Sequence, residues 1–182
     1  MNIKRWAPDR VRGSRKSAAG FTLVELLVVI VLLGIMAVLG LGNYTTSLRR
    51  SRDNQRKSNL RAIATALEAY NSDNKLFPLS SSEDLILGCA EIGQVANQPC
   101  EWGEKWSDPK GTIYMPQIGK DPSTTQQYVY VSADGTQYQL YAHLENPEDA
   151  GIDASIVSQG INCATTGTIV CNYGVSSQNT SP

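Results

Sequence analysis

Three different patterns of apolar and polar positions follow one another along this chain. Phe21–Leu41 reads FTLVELLVVIVLLGIMAVLGL and carries a single charge, Glu25. As a helix, such a run is long enough to cross a hydrocarbon core of about 30 Å. Beyond it, Leu60, Ile63, Ala64, Leu67 and Tyr70 recur at the i, i+3, i+4, i+7 spacing of an amphipathic helix. No proline falls between Phe21 and Leu76, so the pattern predicts one helix from Phe21 through Tyr70. Asn71-Ser-Asp-Asn-Lys-Leu-Phe-Pro78 carries the turn chemistry of a helix stop. Residues 79–120 form a mixed connection, with a short helix expected from Ser82 to Leu87. Tyr128–Ser132 and Gln137–Ala142 are rich in β-branched and aromatic residues and flank Ala133-Asp134-Gly135-Thr136. That is a β-hairpin signal. A third strand is expected near Thr168–Tyr173, after a loop at 145–160, and the polar tail Asn172–Pro182 is expected to be loose. The fold class is α+β: a long N-terminal helix packed against a small antiparallel sheet. The expected divisions are 1–20, a leader; 21–42, an apolar helix; 43–72, an amphipathic stem; and 73–182, a globular head.

Charge sharpens these divisions. The formal net charge of −1 hides strong segregation. Residues 1–20 carry six basic and one acidic side chain, 43–70 six basic and two acidic, and 71–182 four basic and thirteen acidic. Basic residues ahead of the apolar run place the N-terminus in the cytoplasm and the rest of the chain outside. A secretory signal peptide has a shorter apolar region. A plain signal anchor accounts for the length but not for Glu25, because a carboxylate inside a membrane span costs a few kcal/mol and calls for a partner. One histidine, no HExxH, no Walker loop and no GxGxxG leave metallohydrolase, P-loop and dinucleotide chemistry without support.

The segment Ala19-Gly20-Phe21-Thr22-Leu23-Val24-Glu25-Leu26-Leu27-Val28-Val29-Ile30 closely resembles the class III signal of type IV pilins and type II secretion pseudopilins. The resemblance implies that a prepilin peptidase cuts between Gly20 and Phe21, that Phe21 is then N-methylated, and that Glu25 acts in assembly by pairing with the α-amino group of a neighbouring subunit. The other reading of Glu25 is that it is protonated in the membrane and hydrogen-bonded within its own helix. A 20-residue leader is longer than most that precede such a Phe. Gly34 and Gly40 fit close helix approach or ordinary tolerance of glycine in membranes. Phe77-Pro78, Lys120-Asp121-Pro122, Tyr128-Val129-Tyr130 and Tyr138-Gln139-Leu140-Tyr141 extend a weaker similarity to the major pseudopilin as far as about residue 145, and imply the pilin fold.

The stem cations Arg49, Arg50, Arg52, Arg56, Lys57 and Arg61 fit a solvated face, lipid headgroups, or the acidic heads of neighbouring subunits; the acidity of the head favours the last two. Nucleic acid is a weaker fourth reading, since the patch is short and lacks interleaved aromatics. Four cysteines in an exported domain read as two disulfides. Three pairings are open, and the local ones, Cys89–Cys100 and Cys163–Cys171, are favoured because each pair is isolated from the other. No CxxC is present and His143 stands alone, so zinc is not supported. Glu145, Glu148, Asp149 and Asp153 crowd one loop with enough oxygen to suit Ca²⁺, and calcium in this region is a feature of the major pseudopilins. Asn146-Pro-Glu-Asp, however, matches no calcium signature, and acidic loops are usually just solvated. Asn43-Tyr-Thr45 and Asn179-Thr-Ser181 match the N-glycosylation pattern, a common one that carries no weight here.

The sequence therefore reads as a structural subunit, not an enzyme. It is a membrane-anchored precursor with an extracytoplasmic head, and after processing it polymerises through its helix. The partners implied are copies of itself, the prepilin peptidase, an inner-membrane platform protein and an assembly ATPase. The filament is a surface pilus serving adhesion, motility or DNA uptake, or alternatively a type II secretion pseudopilus. A monomeric anchored binding domain is the reading from another class.

Overall fold

The computed structural model describes residues 20–91, 93, 98–178 and 182, without the side chains of 38–43. The leader expected at 1–20 lies outside the described residues except for Gly20. So do the side chains of Gly40 and Asn43, and the sequon at Asn179. Helix α1 runs Leu23–Asn74. The chain divides into two compact units, Met1–Gly42 and Asn43–Pro182, and α1 contributes to both.

In the first unit the described side chains of α1 are uniformly exposed, from Leu23 at 80% to Met36 at 72%. Among the described residues no helix is long and apolar enough to cross a membrane, and the side chains at positions 38–41 of the expected span are not described.

In the second unit the helix is one-sided. Leu60, Ile63 and Leu67 are fully buried, each contributing about 1.5–3 kcal/mol of apolar transfer. The helix outlasts its expected end at Tyr70. Asn74 Nδ2 donates to the Tyr70 carbonyl at 3.1 Å, and Tyr114 Oη donates to Asp73 at 3.2 Å. Lys75, at φ 67°, then closes it, its N–H donating to the Asn71 carbonyl at 2.7 Å.

The strands are short. β1 (Leu79–Ser80), β2 (Ile86–Cys89) and β3 (Gln98–Cys100) form one antiparallel sheet in that order. β4 (Trp106–Ser107) pairs β5 (Ile113–Met115). β6 (Val129–Val131), β7 (Gln139–Ala142) and β8 (Tyr173–Ser176) form the third sheet in sequence order. The Ser80 N–H donates to the Ser132 carbonyl at 3.0 Å, linking the first sheet to the third.

The expected hairpin is β6–β7, with Val131 opposite Gln139. Its turn is shaped by Asp134, whose Oδ1 accepts from the Thr136 N–H at 2.9 Å and hydroxyl at 2.8 Å. Gly135 is required there, because at φ 76° a Cβ would sit 2.8 Å from the Phe77 carbonyl oxygen.

Three expectations are corrected. Ser82–Leu87 is not helical: Ser81 Oγ accepts from the Glu83 and Leu85 N–H groups, Asp84 sits at φ 58°, and the chain turns directly into β2. The third strand is β8, later than Thr168–Tyr173, because Cys171 is held back in a disulfide and the Asn162–Val170 bridge. Tyr173–Ser176 of the supposedly loose tail is therefore the edge strand of a sheet. Asn172 at its start is buried, its amide accepting from the Leu144 N–H at 2.7 Å and donating to the Leu144 carbonyl at 3.0 Å. Within the 145–160 loop lies a second helix, α2 (Ala154–Gln159), capped by Asp153 and ended by Gly160 in the left-handed region.

The core centres on Trp106, which is fully buried. Tyr70 stacks on it at 5.6 Å and Tyr114 lies 5.3 Å away, while Nε1 donates to the Gly88 carbonyl at 3.2 Å. A smaller cluster joins Val129, Tyr141, Ile156 and the Cys163–Cys171 pair. Trp106→Ala should lower unfolding stability by about 3–5 kcal/mol, whereas Ile113→Ala, exposed on β5, should stay within about 0.5 kcal/mol. Urea titration of both variants checks this.

Candidate assembly site

Two sets of side chains stand out, one at the start of α1 and one on its stem. At the start, Thr22 and Glu25 form a capping box. The Thr22 N–H and hydroxyl each donate to Glu25 Oε2 at 2.9 Å, and the Glu25 N–H donates to Thr22 Oγ1 at 3.1 Å. The first turn of a helix leaves N–H groups unpaired, and this pair meets two of them. In the single chain Glu25 is thus hydrogen-bonded within its own helix, as the acceptor of both Thr22 groups. The Thr22-x-x-Glu25 spacing carried that signal. Gly20 and Phe21 stand immediately ahead, both exposed, with Phe21 at 85%. The only charge among the described residues from Phe21 to Met36 is therefore held locally, within an uncovered apolar helix.

On the stem, Arg56 is fully buried and surrounded by carboxylates. Its Nε donates to Asp121 Oδ2 at 2.8 Å and Nη2 to Asp121 Oδ1 at 2.9 Å, a bidentate fork. Nη1 donates to Asp53 at 2.8 Å, and Nη2 also to Glu145 at 2.7 Å. Asp53, fully buried one helical turn earlier, accepts from the backbone N–H groups of Glu145 and Asn146 at 2.9 and 2.8 Å. Arg52 forks onto Glu145, and Lys57 pairs with Asp149. Burial pulls the Arg56 pKa down, but the hydrogen bonds it donates to Asp121 and Glu145 outweigh it and the net shift is upward. The Arg52 hydrogen bonds, with Arg56 behind them and against partial burial, hold the Glu145 carboxyl down at about 2. Lys57 likewise lowers Asp149.

This arrangement corrects the reading of the basic stem. Arg52, Arg56 and Lys57 pair with carboxylates of their own head rather than with lipid or a neighbour, because the fold brings residues 121 and 145–149 onto that helix face. Arg50 reaches Glu148 at an exposed 3.7 Å. Arg49 and Arg61 remain exposed. Asp53 had no role assigned from the sequence, and Asp121 appeared there only within the Lys120-Asp121-Pro122 resemblance. The signal available for Asp53 was its position as one of two acids in a strongly basic segment.

The four carboxylates considered for calcium are engaged separately. Glu145 and Asp149 bind stem cations, Glu148 reaches Arg50, and Asp153 accepts from the Ser155 N–H at 2.8 Å as the cap of α2. Among the described residues no group of three or more His, Cys, Asp or Glu side chains is placed to hold a metal ion. His143 is half-buried, its Nδ1 2.7 Å from the Val170 carbonyl. The disulfides join Cys89 to Cys100 and Cys163 to Cys171.

The comparisons with known proteins fit this geometry. Residues 15–41 match the model of the prokaryotic N-terminal methylation motif. The type II secretion system core protein G of Aeromonas hydrophila is 36% identical over 108 residues, 59% of this chain and 69% of that protein. The chain belongs to the type IV pilin and type II secretion pseudopilin family. The core protein G of Pseudomonas aeruginosa is 27% identical over 140 residues, 76% of this chain and 92% of that one. The type IV major pilin protein PilA of Myxococcus xanthus is 37% identical over 141 residues, 78% of this chain, which spans 60% of that pilin. No solved structure gives a significant match.

The ion network should make the head acid-labile in a defined window. Glu145 is bound more strongly as a carboxylate in the folded state, so its contribution is complete above its ordinary pKa of 4.5 and disappears as pH falls toward about 2. The contribution is about 3 kcal/mol. Unfolding free energy measured from pH 6 to pH 2 should fall steeply below about pH 5, and Glu145→Gln should flatten that slope. Arg56→Met should cost about 3–5 kcal/mol at neutral pH, because it strands buried carboxylates.

Proposed function

We propose that this family member is a structural subunit of a surface pilus, and that polymerisation is its activity. The carrying observation is the apolar helix from Phe21 to Met36, exposed on every described side and bearing only Glu25. The Asn43–Pro182 unit, by contrast, has a complete core of its own. A uniformly apolar helix surface is stable in lipid or against other such helices and unstable in water. Phe21–Leu41 anchors the precursor in the membrane with the head outside. A prepilin peptidase cuts between Gly20 and Phe21, which removes the basic leader, and Phe21 is methylated. Glu25 then exchanges its Thr22 hydrogen bonds for the α-amino group of a neighbouring subunit, a pairing that fixes register because an unpaired carboxylate is costly in an apolar bundle. An inner-membrane platform protein and an assembly ATPase drive extension.

The pilus reading is supported by the 37% identity to the Myxococcus major pilin and by the stem's own cations engaging Glu145 and Asp149. A pseudopilus is the second reading, favoured by the match to core protein G over 92% of its length. In that case calcium at Glu145, Glu148, Asp149 or Asp153 should raise the melting temperature, and a chelator should lower it. No response to either fits the pilus.

Intact mass and N-terminal sequencing of material sheared from cells should give a chain beginning at methylated Phe21. A chain beginning at Met1 and confined to membranes would overturn the filament assignment. Glu25→Gln should leave the head's unfolding curve unchanged while cutting sheared filament by about tenfold or more, the cost of one lost charge pairing.

A further inference from the structure

An open groove of about 660 Å³ lies between the stem and the Pro122–Gln126 loop. Its polar lining includes Arg49, Arg52, Ser123, Thr124, His143 and Gln126. None of it is used by the assembly mechanism. Arg49 is exposed and has no counter-ion among the described residues. The Thr124 hydroxyl is exposed and likewise takes no internal partner. Gln126 is only 9% exposed, yet its amide oxygen lacks a hydrogen-bond partner. His143 spends Nδ1 on the Val170 carbonyl at 2.7 Å, which leaves Nε2 as the ring's open polar atom. Arg52 is forked onto Glu145, whose carboxylate also lines the groove.

This lining carries two requirements. A free guanidinium calls for an anion and suits the planar, two-oxygen face of a phosphate. The Gln126 oxygen and His143 Nε2, which accepts in the tautomer that donates from Nδ1, call for donor groups on the same ligand. A phosphate carrying hydroxyls on neighbouring carbons meets both. We propose that the groove binds a polyol phosphate. Arg49 takes the phosphate, and the acceptors and Thr124 take the hydroxyls.

Two sources offer that chemistry, a phosphatidylglycerol headgroup and a soluble sugar or glycerol phosphate. Arg49 stands eight positions after Leu41, the end of the apolar run, where an anchored precursor meets headgroups. The lipid source therefore rests on the membrane-anchored reading. The groove itself does not, since every lining residue belongs to the Asn43–Pro182 unit.

The test uses the full chain, isotope-labelled, in polyoxyethylene detergent micelles that contain neither phosphate nor polyol. Glycerol phosphate should shift the amide resonances of residues 123–126 and 143 saturably. Inorganic phosphate should bind more weakly. Arg49→Gln and Thr124→Val, both at exposed positions, should each leave the remaining spectrum unchanged, with Arg49→Gln weakening binding about tenfold and Thr124→Val doing so more modestly. In nanodiscs, the same shifts with phosphatidylglycerol but not with phosphatidylcholine alone assign the lipid source. Shifts from soluble glycerol phosphate in either disc, with no effect of the lipid, assign the free source and leave the groove standing if the anchor reading fails. Absence of a saturable shift in every arm overturns the proposal. Equal affinity for inorganic phosphate, or binding indifferent to Arg49→Gln, overturns it as well.

Discussion

The Asn43–Pro182 unit depends on one buried guanidinium. Arg56 is fully enclosed and bonded to Asp53, Asp121 and Glu145. A charge in that position is tolerated only when its hydrogen-bonding capacity is met. Meeting it requires the loop after the third sheet's hairpin and the loop at residue 121 to close onto the helix at the same time. Asp53 strengthens the constraint by gripping the backbone of residues 145 and 146. The network thus fixes where the sheets sit on the stem, a task that apolar contacts, being non-directional, do less sharply.

Around that lock the head solves the difficulty of short strands. Among the described residues no strand exceeds four residues, and ladders so short hold little on their own. Two disulfides close local loops, which restricts the unfolded chain. Trp106, Tyr70 and Tyr114 fill the space between the helix and the second sheet. The edge strand β8 is set by Asn172, whose amide reproduces a backbone pairing with Leu144. Side-chain chemistry thus completes what backbone ladders leave undone.

The N-terminal part of α1 follows a different logic. Its side chains are exposed and apolar, and its one carboxylate is kept satisfied by Thr22. A filament subunit needs both properties. The helix must be stable before it meets its neighbours, and its polar group must be able to exchange one set of hydrogen bonds for another. The head is internally neutralised where it meets its own stem, which leaves Arg49 and Arg61 as stem cations available to other molecules.

The sequence by itself determined the long helix, the hairpin at Tyr128–Ala142, the processing motif around Gly20–Glu25 and the division into zones of charge. Each of these is local: periodicity, a turn dipeptide or a run of residues carries it without reference to distant parts of the chain. Only the tertiary structure decided the partners of the stem cations, because Arg56 lies 65 positions from Asp121 and 89 from Glu145 and nothing in the spacing joins them. It also turned Ser82–Leu87 from an expected helix into a turn and strand, where Asp84 in the left-handed region and the pairing of β2 with β3 outweigh local propensity. Tyr173–Ser176 of the C-terminal tail became an edge strand for the same reason. A polar segment with weak preferences takes the conformation its neighbours impose, and here the neighbours are β7 and a buried asparagine.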